Sequence, residues 1–67
     1  MDNIGYIIKT DNNRYIGMND VIVTKIKLAI IFNDEIYAIS YMNDIKLQYI
    51  HSDYIFFITK VKVVEIT

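Results

Sequence analysis

The sequence contains no cysteine, no proline and no tryptophan, only two glycines and a single histidine. Without cysteine, neither disulfides nor thiolate-bound metal can stabilise the chain. One imidazole, that of His51, cannot form a histidine-rich zinc site, so we expect neither a metal nor a cofactor. Gly5 and Gly17 are too far apart to form a glycine-rich phosphate-binding loop.

An excess of charge and a long hydrophobic run are also missing. The seven basic and eight acidic residues leave a net charge of −1, whereas general nucleic-acid binding relies on an excess of Lys and Arg. The apolar run at residues 28–32 is far shorter than the ~20 residues of a membrane-spanning helix. Residues 1–4 lack the basic region of a secretory signal. We therefore expect a cytoplasmic protein with no membrane partner.

What the chain has in abundance is hydrophobic side chains. Its 67 residues form a single domain (1–67) and are 54% hydrophobic. In a domain this small, apolar burial and the entropy of ordering nearly cancel, so the monomer is expected to be marginally stable. With disulfides and metals excluded, association is the remaining source of stability. We therefore expect a homo-oligomer, most simply a homodimer, or a tight complex with another protein.

The first half of the chain has the pattern of strands. Ile4–Thr10 predicts a strand, residues 11–13 (Asp-Asn-Asn) a turn, and residues 14–17 the return strand of a hairpin. Residues 17–20 form the next break, and residues 21–32 predict one long strand. Its alternation assigns one set of side chains to the core, namely Ile22, Ile26, Leu28, Ile30 and Phe32.

The second half predicts a helix followed by strands. Asn33 is the expected cap of a helix that runs to Met42, with Asp34 and Glu35 in its first turn. Ala38, Ile39, Met42 and Ile45 are spaced to face the sheet. Residues 45–52 favour a short strand, with a continued helix as the alternative, and residues 53–67 are extended. The fold class is α+β: a small, mainly antiparallel sheet in the order β-β-β-α-(β)-β, with one helix packed on one face.

Catalytic chemistry has a single candidate, the consecutive residues His51, Ser52 and Asp53. A Ser-His-Asp triad is built from distant positions around an oxyanion hole, and consecutive side chains seldom point at one another. A solvated turn before the last strand is the much simpler explanation of the three residues. Asp34 and Glu35 are explained by helix capping. We therefore expect no catalytic residues and no enzyme activity.

Four lysines could form a basic stripe. Lys25, Lys27, Lys60 and Lys62 occupy the outward faces of two predicted strands, which would bring them together if those strands pair. Such a stripe with aromatic neighbours could bind nucleic acid. The simpler interpretation is that outward lysines keep the sheet soluble and its edges free of aggregation.

The six tyrosines are too many for so small a core to bury with every hydroxyl satisfied. Exposed tyrosine is enriched at the hot spots of protein interfaces. Tyr37 and Tyr41 lie four residues apart on the predicted helix and would share one face, with Asp34 beside them. These three residues are the first candidate partner-binding surface. The alternative is that the tyrosines pack under the sheet.

Two segments resemble a known group of proteins. Residues 6–15, Tyr-Ile-Ile-Lys-Thr-Asp-Asn-Asn-Arg-Tyr, are similar to the Tyr-x-Ile-Lys-Thr-x-Asn-Gly-x-Tyr hairpin that opens many small phage and prophage proteins of low-GC Gram-positive bacteria. Residues 29–35 resemble their strand-to-helix junction, an Ala-x-x-Phe followed by an acidic helix start. Asn13 stands where glycine is usual. The group is largely uncharacterised, so the resemblance assigns no functional residues.

The resemblance implies a phage setting, in which small proteins without enzymatic motifs often bind and block a host protein, as anti-CRISPR proteins do. The leading hypothesis is a non-enzymatic, phage-derived, homodimeric protein-binding module that inhibits a host defence protein. The alternatives are a small nucleic-acid-binding or regulatory protein that uses the lysine stripe, and a sponge that holds a nucleotide in a dimer cleft.

Overall fold

The computed structural model of the chain describes residues 3–63. Four strands form one antiparallel sheet in the order β3-β2-β1-β4, and a single helix packs against it. The predicted α+β class is therefore confirmed, with the order β-β-β-α-β. The elements are β1 Ile4–Thr10, β2 Tyr15–Ile16, β3 Ile22–Val23, α1 Glu35–Gln48 and β4 Phe56–Lys62, with short 3-10 helices at Met18–Asp20 and Ile26–Leu28.

β1 is the central strand, and both of its edges are paired. On one side it pairs with β4 over its whole length, from Ile4 opposite Lys62 to Thr10 opposite Phe56. On the other side β2 pairs with its end, and Phe32 exchanges two backbone hydrogen bonds of 2.8 Å with Tyr6. The last strand of the sheet therefore pairs within the chain. The predicted extension of this strand over residues 64–67 lies outside the described residues.

Both faces of β1 are buried as well. Ile7 and Ile8 are consecutive and have no exposed surface, so they point to opposite faces of the sheet. Ile8 belongs to the larger core, which lies under α1, and Ile7 to a smaller one with Ala29, Ile31 and Val61. The remaining buried members of the larger core are Ile16, Ile45 and Phe56.

The N-cap of the helix lies one residue later than predicted, and the helix ends six residues beyond its predicted end. Asp34 rather than Asn33 is the N-cap, and its carboxylate accepts a hydrogen bond of 3.0 Å from the Ile36 amide. The strand predicted at residues 45–52 is wrong, because the helix continues to Gln48. Burial explains the continuation: Ile45 lies seven residues after Ala38, on the same face, and both are fully buried.

The long strand predicted over residues 21–32 is also wrong. Only Ile22–Val23 forms β3, because β2 offers two residues for pairing and a longer strand would have no partner. The chain then turns through a 3-10 helix and returns, so that Ala29 pairs with Gly17 and Phe32 with Tyr6. Of the predicted core side chains, Ile22, Ile30 and Phe32 pack against the larger core, whereas Ile26 and Leu28 are exposed.

The two turns on either side of β2 place non-glycine residues in the left-handed region. Asn13 has φ 61° in the first turn, which agrees with the tolerance of asparagine for this conformation. In the second turn Asn19 and Asp20 have φ of 61° and 60°, and the Val21 amide donates to the Met18 carbonyl. Two consecutive positive φ angles are typical of the type I′ turns that match the twist of a hairpin.

Gly17 is required by close packing rather than by its backbone angles. A Cβ at this position would lie 2.9 Å from the Leu28 carbonyl oxygen and 3.0 Å from Val23 Cγ1. Because one of these neighbours is backbone, a rotamer change cannot relieve the contact. We therefore expect Gly17→Ala to lower the free energy of unfolding by about 1–3 kcal/mol, as overpacking does. Chemical denaturation measures this, with the adjacent exposed Met18→Ala as a control within about 0.5 kcal/mol of wild type.

Candidate interaction surfaces

Asp20 lies in the turn between β2 and β3 and binds residues of α1 and its C-cap, 21 to 29 positions away in the sequence. Three side chains of the helix and its C-cap donate hydrogen bonds to it. The Tyr41 hydroxyl and Gln48 Nε2 bind its carboxylate, the latter at 2.8 Å, and the Tyr49 hydroxyl binds its backbone carbonyl at 2.7 Å. Asp20, Tyr41, Gln48 and Tyr49 are referred to below as the Asp20 cluster. The cluster fixes α1 to the β2–β3 turn.

The protonation states of the cluster are set by these hydrogen bonds. The hydrogen bond from Tyr41, followed by that from Gln48, holds the pKa of Asp20 below its ordinary value of 3.8. In return, the hydrogen bond to Asp20, then burial and the negative charges of Asp20 and Asp44, raise the pKa of Tyr41 from 10.0 to about 12. Near neutral pH, the cluster therefore contains an ionised carboxylate and a neutral phenol.

The structure separates the three residues of the predicted partner-binding surface. Tyr37 is 72% exposed and free to contact a partner. Tyr41 is half-buried, packs against Phe32 with ring centroids 5.2 Å apart, and donates its hydroxyl to Asp20. Asp34 is exposed and caps the helix. Of the two tyrosines, Tyr37 is thus the exposed one. Tyr41 instead packs against the larger core, as in the alternative interpretation.

The four lysines do not form the continuous stripe predicted from paired strands. Lys60 and Lys62 lie on β4, whereas Lys25 and Lys27 lie in and beside the 3-10 helix that follows β3. β3 and β4 are at opposite edges of the sheet, and Lys25 and Lys27 lie outside β3. The strand pairing that would bring the four lysines together is therefore absent. On the long edge strand β4, the two lysines match the role of charges that discourage edge-to-edge aggregation.

The His51-Ser52-Asp53 segment forms the turn after α1. The Ser52 hydroxyl donates to the Tyr49 carbonyl at 2.7 Å, so it helps to end the helix, and His51 and Asp53 are exposed. Over residues 3–63, no group of three or more His, Asp or Glu side chains lies close enough to hold a metal ion. Within the same range, α1 is too short and too polar to cross a bilayer.

A shallow depression of about 340 Å³ lies beside this turn and bears on the nucleotide-sponge alternative. Its lining consists of Asp11, Asn12, Asp53 and Tyr54. Tyr54 could stack on a base, but the two carboxylates would repel the phosphates of a nucleotide. This depression therefore gives no support to nucleotide binding.

A mainly apolar depression of about 500 Å³ lies beside the β2–β3 turn. Met18 is 78% exposed, Leu28 53% and Val21 52%. The turn and the 3-10 helix Ile26–Leu28 form its two sides, and they meet where Gly17 packs on Leu28. It is referred to below as the turn groove, lined by Met18, Val21, Val23, Lys27, Leu28 and Ala29.

The sequence interpretation missed this groove because it assigned Leu28 to the core of a long strand. One signal was available: residues 17–20 were predicted to form a break, so Met18 would be a large apolar side chain at a turn. Such a residue has few neighbours to bury it. The outward direction of Leu28 depends on the 3-10 helix, which the alternation of residues 21–32 did not indicate.

The Asp20 cluster predicts a difference between two tyrosines of the same helix. Tyr41→Phe removes a hydrogen bond to an ionised carboxylate, so we expect a lower free energy of unfolding. Tyr37→Phe removes an exposed hydroxyl for which no hydrogen bond is described, and we expect no measurable change. Urea denaturation of both variants gives the comparison. Equal stability of the two variants would show that the hydrogen bond from Tyr41 to Asp20 contributes nothing to the free energy of unfolding.

The cluster also predicts how stability depends on pH. Because the pKa of Asp20 is lowered on folding, its contribution is present above about pH 4 and is lost as the pH falls through the folded-state value. Because the pKa of Tyr41 is raised, its contribution is present below about pH 10 and is lost as the pH rises towards 12. We expect the stability difference between wild type and Tyr41→Phe to be largest between these limits. Denaturation at pH 3, 7 and 11 measures it, and a pH-independent difference would contradict the assignment.

The function of the chain has to be inferred from these surfaces. Tyr37 on α1 and the turn groove are two of the exposed features that could contact a partner, and the Asp20 cluster joins the helix to the turn that carries Met18 and Val21. Comparison of the sequence and the fold with protein-family models, with curated proteins and with solved structures finds no match.

Proposed function

We propose that the protein is a non-enzymatic binding module that uses the turn groove to occupy the surface of another protein. The observation that carries the proposal is the exposure of three large apolar side chains, Met18, Val21 and Leu28, around one depression. Apolar side chains gathered in one depression mark interaction sites more often than the same residues scattered singly. The flexible thioether side chain of Met18 is suited to packing against a partner of irregular shape.

The Asp20 cluster supports this role because it holds the groove in shape. Met18 and Val21 flank the two left-handed residues of the turn, and Asp20 is fixed to α1 by three hydrogen bonds. A groove whose walls are already ordered loses less conformational entropy on binding. The Asp20 cluster would thus favour binding by keeping the β2–β3 turn ordered, although none of its members lines the turn groove.

The chemistry of the groove defines the kind of partner. Its lining is apolar except for Lys27, so a matching segment would insert an aliphatic or aromatic side chain and place a carboxylate near the ammonium group. The resemblance of residues 6–15 and 29–35 to small phage proteins suggests the class of partner. It would be a host defence protein of the kind that anti-CRISPR or other anti-defence proteins inhibit. Binding to the surface of that protein would inhibit it without any catalysed reaction.

The experiment is a capture followed by a titration. Immobilised protein is incubated with lysate of a low-GC Gram-positive bacterium, and the retained protein is identified, purified and titrated by calorimetry. We expect Met18→Asp and Leu28→Asp each to weaken its binding at least tenfold, because each would bury a carboxylate in the apolar contact. Ile55→Asp, a change at a side chain 64% exposed and outside the groove, is the matched control.

Each alternative gives a different result in the same experiment. Binding that is unchanged by Met18→Asp and Leu28→Asp but lost in Tyr37→Ala would transfer the contact to the surface predicted from the sequence. Capture of nucleic acid instead of protein, with affinity that falls steeply as salt rises, would support the lysine-based alternative. Failure to retain any macromolecule would contradict the proposed function.

A further inference from the structure

Helix α1 is apolar on both sides. Towards the sheet it contributes Ala38, Tyr41, Met42 and Ile45 to the larger core or its margin. Away from the sheet, Ile36 is 76% exposed, Leu47 69% and Ile39 41%, and Ile50 in the following turn is 64% exposed. A surface helix of a globular protein normally has one apolar stripe, and a second stripe requires a second cover.

The exposed stripe is symmetric in the sequence. Ile36, Ile39, Asn43 and Leu47 follow one another at intervals of three, four and four residues, which keeps them on one side of the helix, and Ile50 lies three residues further on, in the turn that follows Gln48. Reading the stripe from either end gives aliphatic, aliphatic, asparagine, aliphatic, aliphatic. These five residues are referred to below as the outer face of α1, with Asn43 at its centre.

We propose that the outer face of α1 binds the same face of a second copy of this chain, with the two helices antiparallel and their two-fold axis at Asn43. This arrangement places Ile36 opposite the partner's Ile50 and Ile39 opposite the partner's Leu47. A contact of this kind is self-complementary, as a two-fold dimer requires. The two Asn43 amides meet at the axis, where they can bond to each other and fix the register.

Charge and area both fit a second copy. Asp34 and Glu35 lie at the start of α1, and Lys46 lies near its end. Antiparallel pairing brings each acidic start towards the basic end of the other helix and opposes the two helix dipoles. The four aliphatic side chains of the outer face and the adjacent Tyr37 are 41–76% exposed, so much of their surface is available for the total of about 1,000 Å² that a specific interface has to bury.

This proposal uses none of the residues of the turn groove and is independent of the proposed function. Its first test is the solution mass of the full chain, by sedimentation equilibrium over a range of concentrations. We expect a dimer, and we expect Ile36→Lys and Leu47→Lys to raise the concentration of half-dissociation at least tenfold. Met18→Lys, at a more exposed apolar side chain outside α1, is the control and should leave the dimer intact.

The orientation has its own test, because the chain has no cysteine to interfere. Ile36 and Ile50 are 14 residues apart, about 21 Å along a helix, which is far beyond disulfide reach. Under mild oxidation, Ile36→Cys alone should therefore stay uncrosslinked, whereas a mixture of Ile36→Cys and Ile50→Cys chains should form a mixed disulfide, and Asn43→Cys should crosslink to itself.

Three results would overturn the proposal. The first is a monomer at every concentration, and the second is a dimer that Leu47→Lys leaves unchanged while circular dichroism shows a folded chain. The third is rapid self-crosslinking of Ile36→Cys without the mixed disulfide, which would indicate parallel helices. A chain that is monomeric alone but pairs α1 with a different protein gives the first result and counts against self-association.

Discussion

The constraint on which the rest of the structure depends is that β1 has buried residues on both faces and is paired along both edges. Its two edges are paired, and Ile7 and Ile8 are buried on opposite faces. A sheet that faces water on one side would need only one layer of cover. Here the chain must supply two layers of cover, and α1 provides one of them. α1 covers the face of Ile8, and the segment that returns through Ala29 and Ile31 covers the face of Ile7.

This second cover explains the irregular path of residues 21–32. A straight strand would run past the end of β2 and leave Ile7 exposed to water. The 3-10 helix at Ile26–Leu28 turns the chain back to the edge of β1, where Phe32 pairs with Tyr6, and Ile31 then packs so closely on Gly5 that a Cβ there would lie 2.5 Å from Ile31 Cγ2. The turn leaves Leu28 outside both cores. The turn groove is thus a consequence of covering both faces with so short a chain.

The parts of the fold that the sequence predicted correctly are those determined by local patterns. The strand Ile4–Thr10 has the bounds assigned from its composition, and the turn before Arg14 contains the left-handed Asn13. The errors concern tertiary contacts. No local signal shows that β2 is too short to pair with a long strand. The spacing of Ile45 allows a helix beyond Asn43, but only its burial in the folded chain decides for the helix and against the strand. The Asp20 cluster joins residues up to 29 positions apart and was equally invisible.

The same limit applies to the candidate surfaces. The sequence does not distinguish Tyr37 from Tyr41. The positions of Asp20 and Phe32 in the fold make Tyr41 a structural residue and leave Tyr37 exposed. The apolar pattern of α1 was interpreted as one stripe facing the sheet, and the stripe on its other side was not considered. The two exposed surfaces share no residue, so pairing through α1 would use none of the side chains that line the turn groove.

Size connects these two surfaces. A chain of 67 residues that covers both faces of its central strand has few side chains left with which to bury the outside of α1. In a larger domain another element would pack there, and the core would grow with it. Here a second copy can take that place, at a cost in association entropy that falls as the protein concentration rises. Self-association would then complete the hydrophobic core, and the turn groove would remain for a partner of different chemistry.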